Sequence, residues 1–215
     1  MARHYRLNLQ VGDRAIPDSS ADIVLYMQSD KFVREALPDR RFRGTHIIRD
    51  PRDLVVSSYY YHLKTDEKWV KRPEARWGDM GFQEYLKSMS RHDGLLLEMR
   101  RLLKGRLSGM SSWDYTQQEF LELRYEDVIA DEEEAFSSIF RHYELSDRAL
   151  ALGLALVREN SISTVASWSE KKQGHVRSGM PGQWQDEFAP EHVMLFKKRS
   201  GDLLVRLGYE KDGNW

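Results

Sequence analysis

A chain of 215 residues, 40% hydrophobic and 31% charged, can bury one sizeable core and fits a single α/β domain over 1–215 better than two. Its formal net charge of −1 gives no global attraction to nucleic acid or to an anionic membrane, so any anion site must be local. The absence of cysteine excludes disulfides, thiol catalysis and thiolate-bound metal, and the lack of a long apolar run or signal stretch reads as a soluble, cytoplasmic chain with no membrane partner.

Residues 1–20 are polar and weakly patterned. Ile23 to Met27 is a continuous apolar run of strand length, which predicts burial on both faces. Lys31 to Leu37 predicts a short helix closed by Pro38. Thr45 to Arg49 predicts a strand that turns directly into a helix over 51–63. Residues 64–81 are charged and carry Trp69, Pro73, Trp77, Gly78 and Gly81, the composition of a long functional loop or lid. Helical spacing returns over 82–89 and 93–107, where Leu95, Met99, Leu102 and Leu103 recur at three and four. Phe120 to Tyr125 predicts a strand, and 131–143 a helix whose acidic first turn, Asp131 to Glu134, suits the helix dipole. Leu150 to Val157 is apolar enough for a buried helix, 168–184 is a basic, glycine-containing loop, and the last helix starts near Pro190. Strands alternating with helices imply a parallel sheet.

The junction from Thr45 to Tyr61 carries the chemistry. Asp50 is a good helix cap, Pro51 fits the first helical position, and Asp53 stands where a capping box places its acid. Arg52 falls on a helix face read as solvated. Arg49 is thereby set at the carboxyl end of a strand beside a helix start, where α/β folds bind anions. Arg49 followed by Asp-Pro-Arg-Asp and then Ser57 resembles the 3′-phosphate-binding element of sulfotransferases that use 3′-phosphoadenosine-5′-phosphosulfate (PAPS). The resemblance implies that Arg49 and Ser57 grip the nucleotide's 3′-phosphate.

Three further segments resemble the same family in its own order. Leu123 to Asp127 is similar to its strand ending in Tyr-Glu-Asp, which implies that Tyr125 lies near the base. Asn160-Ser161-Ile162 falls where the family touches adenine, and implies that Ile162 packs on it. Arg177 to Trp184 resembles the Arg-Lys-Gly-x-x-Gly-Asp-Trp loop, which implies phosphate contacts from Arg177, Ser178 and Gly179. Here Ser178 stands where the lysine is usual, and Gln183 where the aspartate is. A planar guanidinium forks onto phosphate oxygens, and a glycine-bearing turn can aim successive amides at an anion.

The family's opening strand and its Lys-Ser-Gly-Thr type loop, which hold the 5′-phosphosulfate, have no counterpart here. Gly12 stands alone before Gly44. The expectation is a three-layer, P-loop-like sulfotransferase fold, α/β with a central parallel sheet flanked by helices, lacking its first β-loop-α unit. The family's usual histidine base falls near Met27 or Gln28, neither of which is a base. His62, after three tyrosines at the helix end, is the candidate catalytic base; His46, read as a structural strand histidine, and the carboxylates of Asp30 and Glu35 are the other groups at hand. The implied reaction is sulfuryl transfer from PAPS to the hydroxyl or amine of a small-molecule or carbohydrate acceptor, giving 3′,5′-ADP and using no metal. The alternative is a truncated, catalytically impaired relative that binds 3′,5′-ADP or PAPS as an interaction module.

Overall fold

The structure is a computed structural model that describes residues 8–11, 21–26, 32, 41–161 and 179–215. In chain order the first elements are β1 (Leu9–Val11), β2 (Ile23–Leu25), β3 (Gly44–Ile48), α1 (Pro51–His62), α2 (Lys68–Lys71) and β4 (Pro73–Glu74). A 3₁₀ turn (Ala75–Trp77), β5 (Met80–Gly81), α3 (Phe82–Lys87), α4 (Arg91–Lys104) and α5 (Arg106–Ser112) follow. The chain continues through β6 (Phe120–Arg124), α6 (Tyr125–Ala130), α7 (Glu132–His142) and α8 (Asp147–Glu159). It closes with α9 (Trp184–Glu187), α10 (Pro190–Ser200) and α11 (Leu203–Arg206). These elements gather into two units, Met1–Ile48 with Ser108–Val165, and Arg49–Leu107 with Ala166–Trp215.

In the first unit both strand pairs are parallel. β3 runs beside β6 with Gly44 opposite Phe120 and Ile48 opposite Arg124. β1 runs beside β2 with Leu9 opposite Ile23 and Val11 opposite Leu25. β1 lies in a stretch whose sequence shows no strand pattern. β2 is not buried on both faces as its run of apolar residues suggests. Side chains alternate along a strand, so Leu9, Val11, Ile23 and Leu25 share one face, and all four are exposed. Asp131 caps α7 by accepting from the Glu134 amide at 3.0 Å. α7 packs on α8, and Arg158 donates to Glu133 at 2.9 Å across the pair. α8 is half-exposed and not fully buried: only Ala149 and Gly153 along it are buried.

In the second unit α1 packs on α4 and α9, and α10 also packs on α4. Ser90 caps α4, accepting from the Asp93 amide at 3.1 Å. The three-and-four spacing of Leu95, Met99 and Leu102 then turns one stripe inward, where it meets Val55, Val56, Leu86 and Phe196 in the core. Residues 64–81 are not one long loop. α2 and the β4–β5 hairpin organise them, because Trp69 stacks on Phe82 and Trp77 lies against Tyr85, with ring centres 5.7 and 5.0 Å apart. The Gln83 amide group ties this segment to the end of α1, donating to the carbonyls of His62 and Thr65 at 2.9 Å each. The last helix is also interrupted, Gly201 separating α10 from α11. The expected helix over 31–37 lies outside the described residues except for Phe32.

Candidate functional site

The start of α1 is built as its residues dictate. Asp50 caps it, its carboxylate accepting from the Arg52 amide at 2.8 Å, and Pro51 opens the first turn. Asp53 is the departure from the capping-box expectation. Its carboxylate turns away from the helix end and accepts from the backbone N–H of Gly182 at 2.7 Å and of Trp184 at 3.0 Å. Burial pushes the Asp53 carboxyl above the usual aspartate range, against the opposing pull of these two amides and of Arg49.

Arg49 lies where the chain enters α1, and its Nη2 sits 3.9 Å from Asp53 Oδ2 and donates to the Met180 carbonyl at 3.4 Å. Met180 belongs to a turn framed by Gly179 and Gly182, at φ 68° and 80°. Those left-handed angles bend the chain sharply at both ends of the turn, with the Met180 carbonyl facing Arg49 and the Gly182 N–H facing Asp53. The second unit thus brings together Arg49 and Gly179, which stand 130 positions apart in the chain. Ser57 lies on α1 and is exposed.

Arg52 does not face solvent. It is 2% exposed, donates to Asp50 and Glu210, and lies over the rings of Trp184 and Trp215. The guanidinium finds its carboxylates and aromatic faces inside the unit, so burial costs it little of its charge stabilisation.

At the other end of α1, the His62 ring is buried with Nδ1 3.2 Å from Glu98 Oε2. Glu98, fully buried, also accepts from Ser58 Oγ at 2.8 Å and from Arg101 at 2.6 Å. Burial alone would raise the Glu98 carboxyl, yet the hydrogen bonds and charges of His62 and Arg101 outweigh it and hold the group below the usual glutamate range. Glu98 therefore accepts, and Nδ1 of His62 carries the donated proton. Among the described residues Nε2 of His62 has no hydrogen-bond partner. The Glu98 position was readable as unusual in the sequence: it falls on the apolar stripe of α4, between Leu95 and Leu102, where a lone acid needs partners.

Against known protein families, the sulfotransferase domain matches residues 27–208, most of the chain and parts of both units. The chain belongs to the sulfotransferase family. A solved structure, mouse sulfotransferase SULT7A1 complexed with PAP, shares the fold with a TM-score of 0.59 at 16% sequence identity, covering 96% of this chain and 76% of that one. The fold is accordingly the α/β sulfotransferase fold, with its parallel strands and surrounding helices. No curated protein matches the sequence.

Tyr125 lies in the first unit as the opening residue of α6, directly after β6. His46, also there, is on β3 with Nδ1 2.7 Å from Glu122, its ring against Trp113 at 4.3 Å. Ile162, Arg177 and Ser178 lie outside the described residues, as do Asp30 and Glu35. A cavity of about 280 Å³ along α7 and α8 is walled mainly by Phe136, Phe140, Leu156 and Val157, with no cation among its described lining residues. Among the described residues no cluster of His, Asp and Glu could hold a metal ion, and no helix is long and apolar enough to cross a membrane.

Proposed function

We propose that this chain is a sulfotransferase that binds PAPS and passes its sulfuryl group to an acceptor hydroxyl or amine, leaving 3′,5′-ADP. The observation that carries the reading is the meeting of Arg49 with the Gly179–Gly182 turn at the start of α1. A cation, a glycine-bearing turn and a helix N-terminus meet there, and the guanidinium and the helix dipole favour a phosphate. The arrangement fits the 3′-phosphate end of the nucleotide.

In this reading Arg49 and Ser57 hold the 3′-phosphate, with Gly179 and the residues before it, Arg177 and Ser178, closing on it. Tyr125 and Ile162 contact the adenine. When bound, PAPS supplies the activated sulfuryl group. His62 is the base: Glu98 holds Nδ1, so Nε2 is the atom left to take the acceptor's proton. The acceptor is a small molecule or carbohydrate, and the chemistry uses no metal. In this reading 1–215 is one sulfotransferase domain, supported by a family match over residues 27–208 that runs through both units, and it works in the cytoplasm.

Calorimetric titration with 3′,5′-ADP and with 5′-AMP tests the site. The expected result is tighter binding of 3′,5′-ADP, because the assigned groups address the 3′-phosphate. Equal affinities remove the basis of the assignment.

A further inference from the structure

Resting on the reading of Arg49 and the Gly179 turn as the 3′-phosphate grip, we infer that Asp53 is the positioning residue that holds this grip in shape. Asp53 lies four positions after Arg49, on the first turn of α1, and its side chain is fully buried. Each carboxylate oxygen accepts from a different backbone N–H, Oδ2 from Gly182 at the end of the turn and Oδ1 from Trp184 at the start of α9. The far half of the turn is thereby pinned to α1. The near half, Gly179 and Met180, meets the Arg49 guanidinium through the Met180 carbonyl. Arg49 itself stands 3.9 Å from Oδ2 of the same carboxylate. One buried acid therefore sets where the turn lies and biases where the cation points.

The chemistry needs an ionised acid in this place. A carboxylate offers acceptors on both oxygens, so it can serve two N–H groups at once. An amide of the same size offers one acceptor and presents its own N–H₂ to the second backbone N–H, leaving that donor unpaired and repelled. Asp53→Asn therefore changes neither volume nor shape, and loosens only the anchor.

The test is titration of the intact Asp53→Asn chain with 3′,5′-ADP and 5′-AMP, with thermal unfolding recorded alongside. Affinity for 3′,5′-ADP falls by about tenfold or more, while affinity for 5′-AMP stays within about twofold. A purely structural defect lowers both equally, and that outcome overturns the inference. So does an unchanged preference for 3′,5′-ADP in the variant. A wild-type chain with no such preference instead removes the underlying reading of the site. Should Asp53→Asn fail to fold, Gly182→Ala perturbs the same anchor from the other side. A Cβ at Gly182 meets nothing within 4 Å, but the φ of +80° disfavours it. The same selective loss of 3′,5′-ADP is expected there, and its absence overturns the inference.

Discussion

The guanidinium of Arg52 lies 3.8 Å from the centre of the Trp184 ring, and on the same buried cation converge Trp215, Asp50 and Glu210. Four partners from three stretches of chain thus share one charge. Removing it strands two carboxylates and opens a gap between two indoles. Arg52→Ala is expected to destabilise the protein by about 3 kcal/mol, the low end for breaking a buried pair, since Glu210 keeps some solvent contact. Urea unfolding measures this. A loss below about 1 kcal/mol, as for an exposed pair, contradicts the placement.

Arg49→Ala separates binding from folding. The side chain reaches the Gly179–Gly182 turn through a hydrogen bond to the Met180 carbonyl at 3.4 Å. Loss of a charge-assisted phosphate contact is worth roughly 1.5–3 kcal/mol, so 3′,5′-ADP affinity should fall about ten- to a hundredfold. Calorimetry on the folded variant decides it, and unchanged affinity places the phosphate elsewhere.

Glu98 links stability to acid pH. Its carboxyl is held below the usual glutamate range by His62 and Arg101 against the cost of burial. A depressed folded value means that the stabilisation is complete above the unfolded glutamate's range and is lost as pH falls through the folded value. Glu98→Gln is expected to cost about 1–3 kcal/mol at neutral pH and to flatten the acid-side decline of unfolding free energy. Parallel stability–pH curves for the two proteins would count against the network.

Gly94 is a close-approach glycine. A Cβ there would lie 2.6 Å from Tyr59 Cε2 and 3.3 Å from Leu86 Cδ1, where α4 meets α1. Alanine favours a helix by about 1 kcal/mol over glycine, but overpacking costs about 1–3 kcal/mol. Tyr59 is 5% exposed and has no room to retreat, so the clash wins. Gly94→Ala should lower the melting temperature, and Tyr59→Leu in the same chain should recover part of the loss. A more stable single variant shows that the helices slide apart freely.

Local physics made the junction from β3 to α1 legible in the sequence. A cap, a proline at the first helical position and a run of strand-forming residues act over a few positions, so Asp50, Pro51 and the place of Arg49 follow without the fold. The acidic first turn of α7 and the apolar stripe of α4 are of the same kind. The family was legible too, because order and spacing of short segments survive in the chain itself.

What only the tertiary structure decided are the partners that come from far along the chain. Asp53 and Arg52 read as a capping acid and a solvated base because the local spacing shows only the helix start and the nearby charges of Arg49 and Asp50. The partners that bury them, the amides of Gly182 and Trp184 and the side chains of Glu210 and Trp215, stand more than 125 positions away. The same holds for residues 64–81, whose charged composition suggests a loop until Trp69 and Trp77 find Phe82 and Tyr85. A buried charge is stable only with partners, and helical spacing gives no account of which distant residues will supply them.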